Sequence, residues 1–211
     1  REGVVDALKQ DADSLLRRGG VIGPVFLCFS CDPWPRSPDM DITRDALIAL
    51  GSRGIRTRVL TKNAWQAQAD FDVLKLYGAE FGVSLVWNQD VDRARWEPGA
   101  DTVCQRGSAL MAAKTEGLRT WVSVEPVIDP KQAYHVVHAL RDWVDVWKLG
   151  AWNHDARAKA IDYARFLEKV MPLLQEAAQA GRDYTIKHDL WKHADNETRA
   201  RFARTTIGSE E

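Results

Sequence analysis

The chain has 211 residues, 45% of them hydrophobic and 28% charged, with a formal net charge of −1. That is apolar content enough for one buried core, and the near-neutral balance excludes a globally basic, histone-like mode of nucleic-acid binding while leaving room for a local basic groove. No apolar run approaches a membrane span, the opening Arg1-Glu2-Gly3-Val4-Val5-Asp6 resembles neither a signal nor a transit peptide, and three cysteines fit a reducing cytoplasm better than a disulfide framework.

Residues 4 to 17 read as an amphipathic helix, with Val5, Leu8, Ala12, Leu15 and Leu16 at helical spacing and Gly19-Gly20 ending it. The first strand is expected over 24–30 and runs into Cys31-Asp32-Pro33-Trp34. Ile42-Thr43-Arg44 opens a helix over 42–53, and a strand over 56–61 closes in Thr61-Lys62-Asn63. A helix over 65–77 then precedes a strand over 81–87, and a helix over 100–116 precedes one over 119–125, which ends in Glu125-Pro126. A helix over 130–141 leads to a strand over 144–149, and a helix over 156–179 leads to the most weakly marked strand, 183–187. Gly51, Gly54, Gly78, Gly117 and Gly181 punctuate the helix exits. Residues 1–195 are expected to form one domain, and 196–211 a charged tail that frays.

A βα unit repeated every roughly 25–35 residues calls for parallel strands and right-handed crossovers. A doubly wound dinucleotide fold should place a glycine-rich loop after its first strand, where this chain has Asp32-Pro33-Trp34-Pro35. Strand after strand ends in a polar residue, which favours a TIM-type barrel whose one mouth collects them all. The expected fold is therefore α/β, a partial (β/α)6 barrel. A helix opens the chain with no strand before it, so the first strand and its loop are expected upstream.

Ser30, Asp32, Lys62, Ser84, Glu125 and Lys148 close separate strands, apart from the adjacent Ser30 and Asp32. Hydroxyls, carboxylates and amines around one mouth suit a zwitterionic or multiply polar ligand. Taken singly, each is equally a loop-start polar residue or a partner in an internal ion pair. Several of the nine tryptophans (Trp34, Trp87, Trp121, Trp147, Trp152) fall at or just past strand ends, where they would wall a pocket or fill a core.

The order of these motifs resembles the spore-photoproduct-lyase-like group of radical S-adenosylmethionine (SAM) proteins. The residues that carry the resemblance are Ser30-Cys31-Asp32-Pro33-Trp34, Thr43-Arg44, Thr61-Lys62, Val83-Ser84-Leu85, Glu97-Pro98 with Arg106, and Trp121-Val122-Ser123-Val124-Glu125-Pro126. Cys31 and Trp34 stand where the group more often has Thr and Tyr. The resemblance implies cleavage of SAM to a 5′-deoxyadenosyl radical by an electron from a [4Fe–4S] cluster, with flavodoxin or ferredoxin as reductant. It implies that Ser30, Lys62 and Ser84 hold the amino-acid end and ribose of SAM, with Asp32, Glu125 and Lys148 around the same cofactor. Trp34, Trp87, Glu97 and Arg106 would face the substrate, of which a DNA lesion is the leading analogue. The Cys-x3-Cys-x2-Cys loop that holds such a cluster is not among the 211 residues, so its ligands are expected upstream, and this chain alone is expected to be inactive.

Cys28 lies two residues before Ser30, so strand alternation points both side chains to one face. In the lyase branch of the group a cysteine on this strand donates a hydrogen atom; the plainer role is a small buried thiol. Zinc at Cys28-x2-Cys31 would need two further ligands, which no second cysteine pair or close histidine pair supplies. His135 and His138 share one helix away from the expected mouth, whereas His154 follows a strand end. Arg93, Arg95, Arg106, Lys114 and Arg119 could track a phosphate backbone beside Trp87 and Trp96, or serve as ordinary surface charge. Two other functions stay open: a cofactor-free lyase or aldolase using Lys62 or Lys148 as a Schiff-base amine beside Glu125, and a non-catalytic nucleotide-binding module.

Overall fold

Short β-rich runs alternating with helices produce seven parallel strands that lie side by side in chain order: β1 (Val25–Leu27), β2 (Thr57–Thr61), β3 (Glu80–Ser84), β4 (Arg119–Val127), β5 (Val146–Ala151), β6 (Asp183–Lys187) and the two-residue β7 (Ile207–Gly208). The structure is a computed structural model and describes residues 3–20, 23–27, 31–36, 41–202 and 207–208. Every pairing is parallel, and the strand order never reverses. A doubly wound sheet requires such a reversal, so this sheet is singly wound, as in a partial barrel. Helix α1 (Val4–Arg17) precedes β1, and between the strands run α2 (Asp41–Gly51), α3 (Ala64–Ala67), α4 (Phe71–Leu76), α5 (Asp90–Trp96), α6 (Val103–Thr115), α7 (Pro130–Leu140), α8 (Tyr163–Gln179), α9 (His188–Trp191) and α10 (Asn196–Arg201).

All six expected strands are present, and the differences lie in the connections. The helix expected over 65–77 is broken by a 3₁₀ turn at Gln68–Asp70. There the Asp70 carboxylate turns inward to accept from Trp34 Nε1 (2.8 Å) and Arg44 Nη1 (2.9 Å). The helix expected over 156–179 starts at Tyr163, where the Asp162 side chain caps it by accepting from Arg165 N. Helix α5 was not expected because none of its residues is buried, so it has no apolar stripe to reveal it. Of the described residues in 196–211, the stretch expected as a tail, 196–201 form α10 with Asp195 as its cap, Phe202 is buried in the core, and Ile207–Gly208 pairs with β6.

Strand alternation separates two faces. Val59, Phe81, Val83, Val122, Val124, Trp147 and Leu149 are buried on the outer face, in one core with the helices. The opposite face lines a lumen. There the Trp121 indole lies across Gly82, where a Cβ would come within 2.2 Å of the ring. Trp121 Nε1 donates to the Val59 carbonyl at 3.0 Å, and Phe26 meets the ring edge-on at 5.9 Å. This buried indole closes the floor of the lumen.

Gly82→Ala should therefore overpack the floor and lower stability by about 1–3 kcal/mol in urea unfolding. Gly107→Ala is the control: it sits inside α6 with its nearest foreign atom at 3.9 Å, and should add about 0.5–1 kcal/mol. Equal effects of the two changes would show that the Trp121–Gly82 contact does not constrain the sheet.

Candidate functional site at the strand C-termini

The register of the sheet aligns Ser84, Ser123, Lys148 and Thr185 as successive partners across β3 to β6. Registered partners in a parallel sheet point to the same face, so these side chains form one layer directly above the Trp121 floor. Lys148 Nζ stands 5.1 Å from the centroid of that indole. One layer higher, Glu125 Oε1 pairs with Lys187 Nζ at 3.1 Å, and Glu125 Oε2 accepts from Ser123 Oγ at 3.2 Å. Gly150 makes room for this carboxylate, since a Cβ there would meet Oε1 at 2.3 Å. On the other side of the floor Arg58 pairs with Glu80 at 2.6 Å. Lys148 has no acid within ion-pair distance among the described residues. Burial pushes its ammonium pKa below the ordinary lysine value, and Arg58 and Lys187 act in the same direction against Glu125 and Glu80.

The second half of the site is built on the loops after β1 and β2. Asp32 accepts from Thr61 Oγ1 (2.6 Å) and Trp34 N (3.0 Å) through Oδ1, and from Lys62 N (2.7 Å) through Oδ2. Asp101 N donates to the Lys62 carbonyl at 2.9 Å, so the Lys62 backbone is held from both sides. The Lys62 side chain is 42% exposed, and its Nζ lies 3.6 Å from Glu97 Oε1. Glu97 Oε2 in turn lies 2.9 Å from Arg106 Nη1, which also donates to the Ser84 carbonyl at 2.7 Å. Arg106 is fully buried, its Nε and Nη2 lack hydrogen-bond partners among the described residues, and burial lowers its pKa against the opposing pull of Glu97. Asp32, Lys62, Asn63 and Trp96 border a cavity of about 340 Å³. A larger hollow of about 630 Å³ lies between α7 and α8, away from the strand ends, beside Tyr134, His135 and Phe166.

Lys62, Ser84, Glu125 and Lys148 thus share one end of the sheet, as their strand-end positions predicted. Cys28 and Ser30 lie outside the described residues. Four residues expected at the site, Asp32, Trp34, Trp87 and Arg106, make internal contacts. Asp32 spends both oxygens on the β1 and β2 loops. Trp34 is fully buried with its Nε1 on Asp70, and Trp87 is 3% exposed with its ring stacked on Trp96 at 5.7 Å. Arg106 lies beneath Glu97 rather than facing the lumen. Ser123, Gly150, Thr185 and Lys187 belong to the site but were not singled out. Lys187 ends β6, so the strand-end rule that selected Lys148 reaches it too. Cys31 and Cys104 are exposed, and no three His, Cys, Asp or Glu side chains gather to hold a metal among the described residues.

No family model matches this chain, and no curated protein does. Solved structures do match in shape. SuiB of Streptococcus suis bound to S-adenosylmethionine superposes with a TM-score of 0.62 at 12% identity, over 95% of this chain and 50% of that one. SuiB bound to its precursor peptide SuiA gives 0.63 at 11% identity, over 97% and 50%. A variant of spore photoproduct lyase with a dinucleoside spore photoproduct gives 0.58 at 17% identity, over 80% and 52%. The fold is the partial α/β barrel that these radical SAM enzymes use. The chain spans about half the length of each.

Because the folded pKa of Lys148 lies below its unfolded value, the unfolded chain holds this proton more tightly between the two. Stability should then rise with pH through that window, towards the ordinary lysine pKa of about 10.4. Lys148→Met should be more stable than wild type at neutral pH, with the gap narrowing as pH rises. A wild type as stable as the variant at neutral pH would mean that Trp121 offsets the whole desolvation cost.

Proposed function

We propose that this chain is the barrel portion of a radical SAM enzyme, with SAM bound across the strand C-termini. The observation that carries the proposal is the convergence of Lys62, Ser84, Ser123 and Glu125 on one end of a singly wound sheet, in a fold shared with SAM-bound SuiB. The donor set fits the cofactor. SAM presents a carboxylate, an ammonium and ribose hydroxyls, and this mouth presents a half-exposed ammonium, hydroxyls and a carboxylate.

In this reading Lys62 meets the SAM carboxylate, with Asp32 and Asp101 holding its backbone and Glu97 its side chain. Ser84, whose hydroxyl has no partner among the described residues, orients the ribose with Ser30. Glu125 is poised by Lys187 and Ser123 to accept from the cofactor's ammonium or ribose. When bound to a reduced [4Fe–4S] cluster, SAM supplies a 5′-deoxyadenosyl radical. The cluster ligands would have to come from chain outside these 211 residues. By resemblance Cys28 is the hydrogen donor to the substrate radical, and a nucleic-acid lesion is the substrate. The dinucleoside spore photoproduct held by the spore photoproduct lyase neighbour supports that choice. The lowered pKa of Lys148 favours a second reading, a Schiff-base lyase, which borohydride trapping with a carbonyl substrate would reveal.

The whole protein, purified without oxygen, should carry iron and sulfide and release 5′-deoxyadenosine from SAM under dithionite. Lys62→Ala should weaken SAM binding at least about tenfold, the loss of one charge-assisted contact, and Lys148→Ala by less. Absence of both the cluster and the nucleoside product would reject the class, whereas unchanged affinity in Lys62→Ala would remove only Lys62. With Cys28→Ala, intact SAM cleavage and aberrant substrate products are expected; an unchanged product profile would reject the donor role.

A further inference from the structure

Among the described residues, the lumen has one cation more than it has carboxylates to match. Glu80 is taken by Arg58 at 2.6 Å and Glu125 by Lys187 at 3.1 Å. Lys148, half-buried between these pairs, is left facing the Trp121 ring at 5.1 Å. An aromatic face attracts an ammonium but accepts no proton from it, and it brings no counter-charge. On the same register layer the hydroxyls of Ser84 and Thr185 have no partner among the described residues, and Ser123 Oγ donates to Glu125. Thr185 is the immediate registered neighbour of Lys148 on one side and Ser123 on the other.

We propose that this layer is an oxyanion site: Lys148 supplies the charge, and Thr185 supplies a hydroxyl donor, to a carboxylate or phosphate group of the substrate within the lumen. An ammonium flanked by hydroxyls above an indole floor suits a compact anion, which would restore neutrality to a layer that is otherwise one charge in excess. Arg58–Glu80 and Lys187–Glu125 flank the same space as charge-balanced pairs, so the net positive field of the layer is that of Lys148. The site depends on the lumen alone and not on the identity of the cofactor at the mouth, so it stands or falls separately from the SAM proposal.

The test is the reactivity of the Lys148 amine in the 211-residue protein. Reductive methylation with formaldehyde and cyanoborohydride at neutral pH, followed by peptide mapping, reads each lysine separately. At constant ionic strength set with sodium chloride, inorganic phosphate or acetate should slow methylation of Lys148 saturably, by about tenfold at roughly ten times the anion concentration for half-protection. Lys9, whose side chain is 43% exposed, and exposed Lys131 should keep their rates. Protection by phosphate alone identifies a phosphate ligand, and protection by acetate a carboxylate. Thr185→Val should raise the anion concentration for half-protection by about 2- to 10-fold, as expected for one lost neutral donor. Protection by neither anion, or protection of Lys148 no greater than that of Lys9 and Lys131, overturns the proposal.

Discussion

The depth of the lumen is set by one contact, the Trp121 indole lying across Gly82. A side chain at residue 82 would lift the ring, and its hydrogen bond to the Val59 carbonyl ties the ring's position to the neighbouring strand. With the floor fixed there, the first layer above it is the row through Ser84, Ser123, Lys148 and Thr185. The polar character of the mouth is thus a consequence of where a large apolar ring stops. Phe26 and Arg58 brace the same ring from the side, so β1, β2, β3 and β4 all meet at this one residue.

The charges around the mouth serve position more than stability. A buried ion pair such as Arg106–Glu97 recovers little beyond its own desolvation. What it does is orient. Arg106 bonds the Ser84 carbonyl at the end of β3, braces Glu97, and through Glu97 limits where the Lys62 ammonium can go. Asp32 does the corresponding work for the backbone, linking the loop after β1 to the end of β2 with both of its oxygens. Polar residues that resemble ligands are here the scaffold that holds the exposed ones.

That distinction marks the limit of what the chain disclosed before its structure was seen. Strand order, parallel pairing and the common end of Lys62, Ser84, Glu125 and Lys148 follow from local pattern, because alternation and strand endings are local properties. The fate of Asp32, Trp34 and Arg106 is not local. Trp34 is buried because Asp70, 36 positions away, offers its indole a partner, and no spacing rule carries that information. Thr185 was missed for a related reason: its meaning comes from standing beside Lys148 on the next strand. Helix α5, with none of its residues buried, shows no apolar stripe to read.

One cluster on the rim has a consequence of a different kind. Trp87 stacks on Trp96 with centroids 5.7 Å apart, Trp152 meets Trp96 edge-on at 5.6 Å, and the Arg157 guanidinium caps both Trp96 and Trp152. The three indoles come from segments after β3, in α5 and after β5, so the cluster exists only when those rim segments are docked together. Indoles this close share their electronic transitions, and their coupled absorption is a signed circular-dichroism couplet that an isolated ring lacks. The protein therefore carries an intrinsic optical reporter of rim assembly, distinct from the backbone signal of its helices and strands.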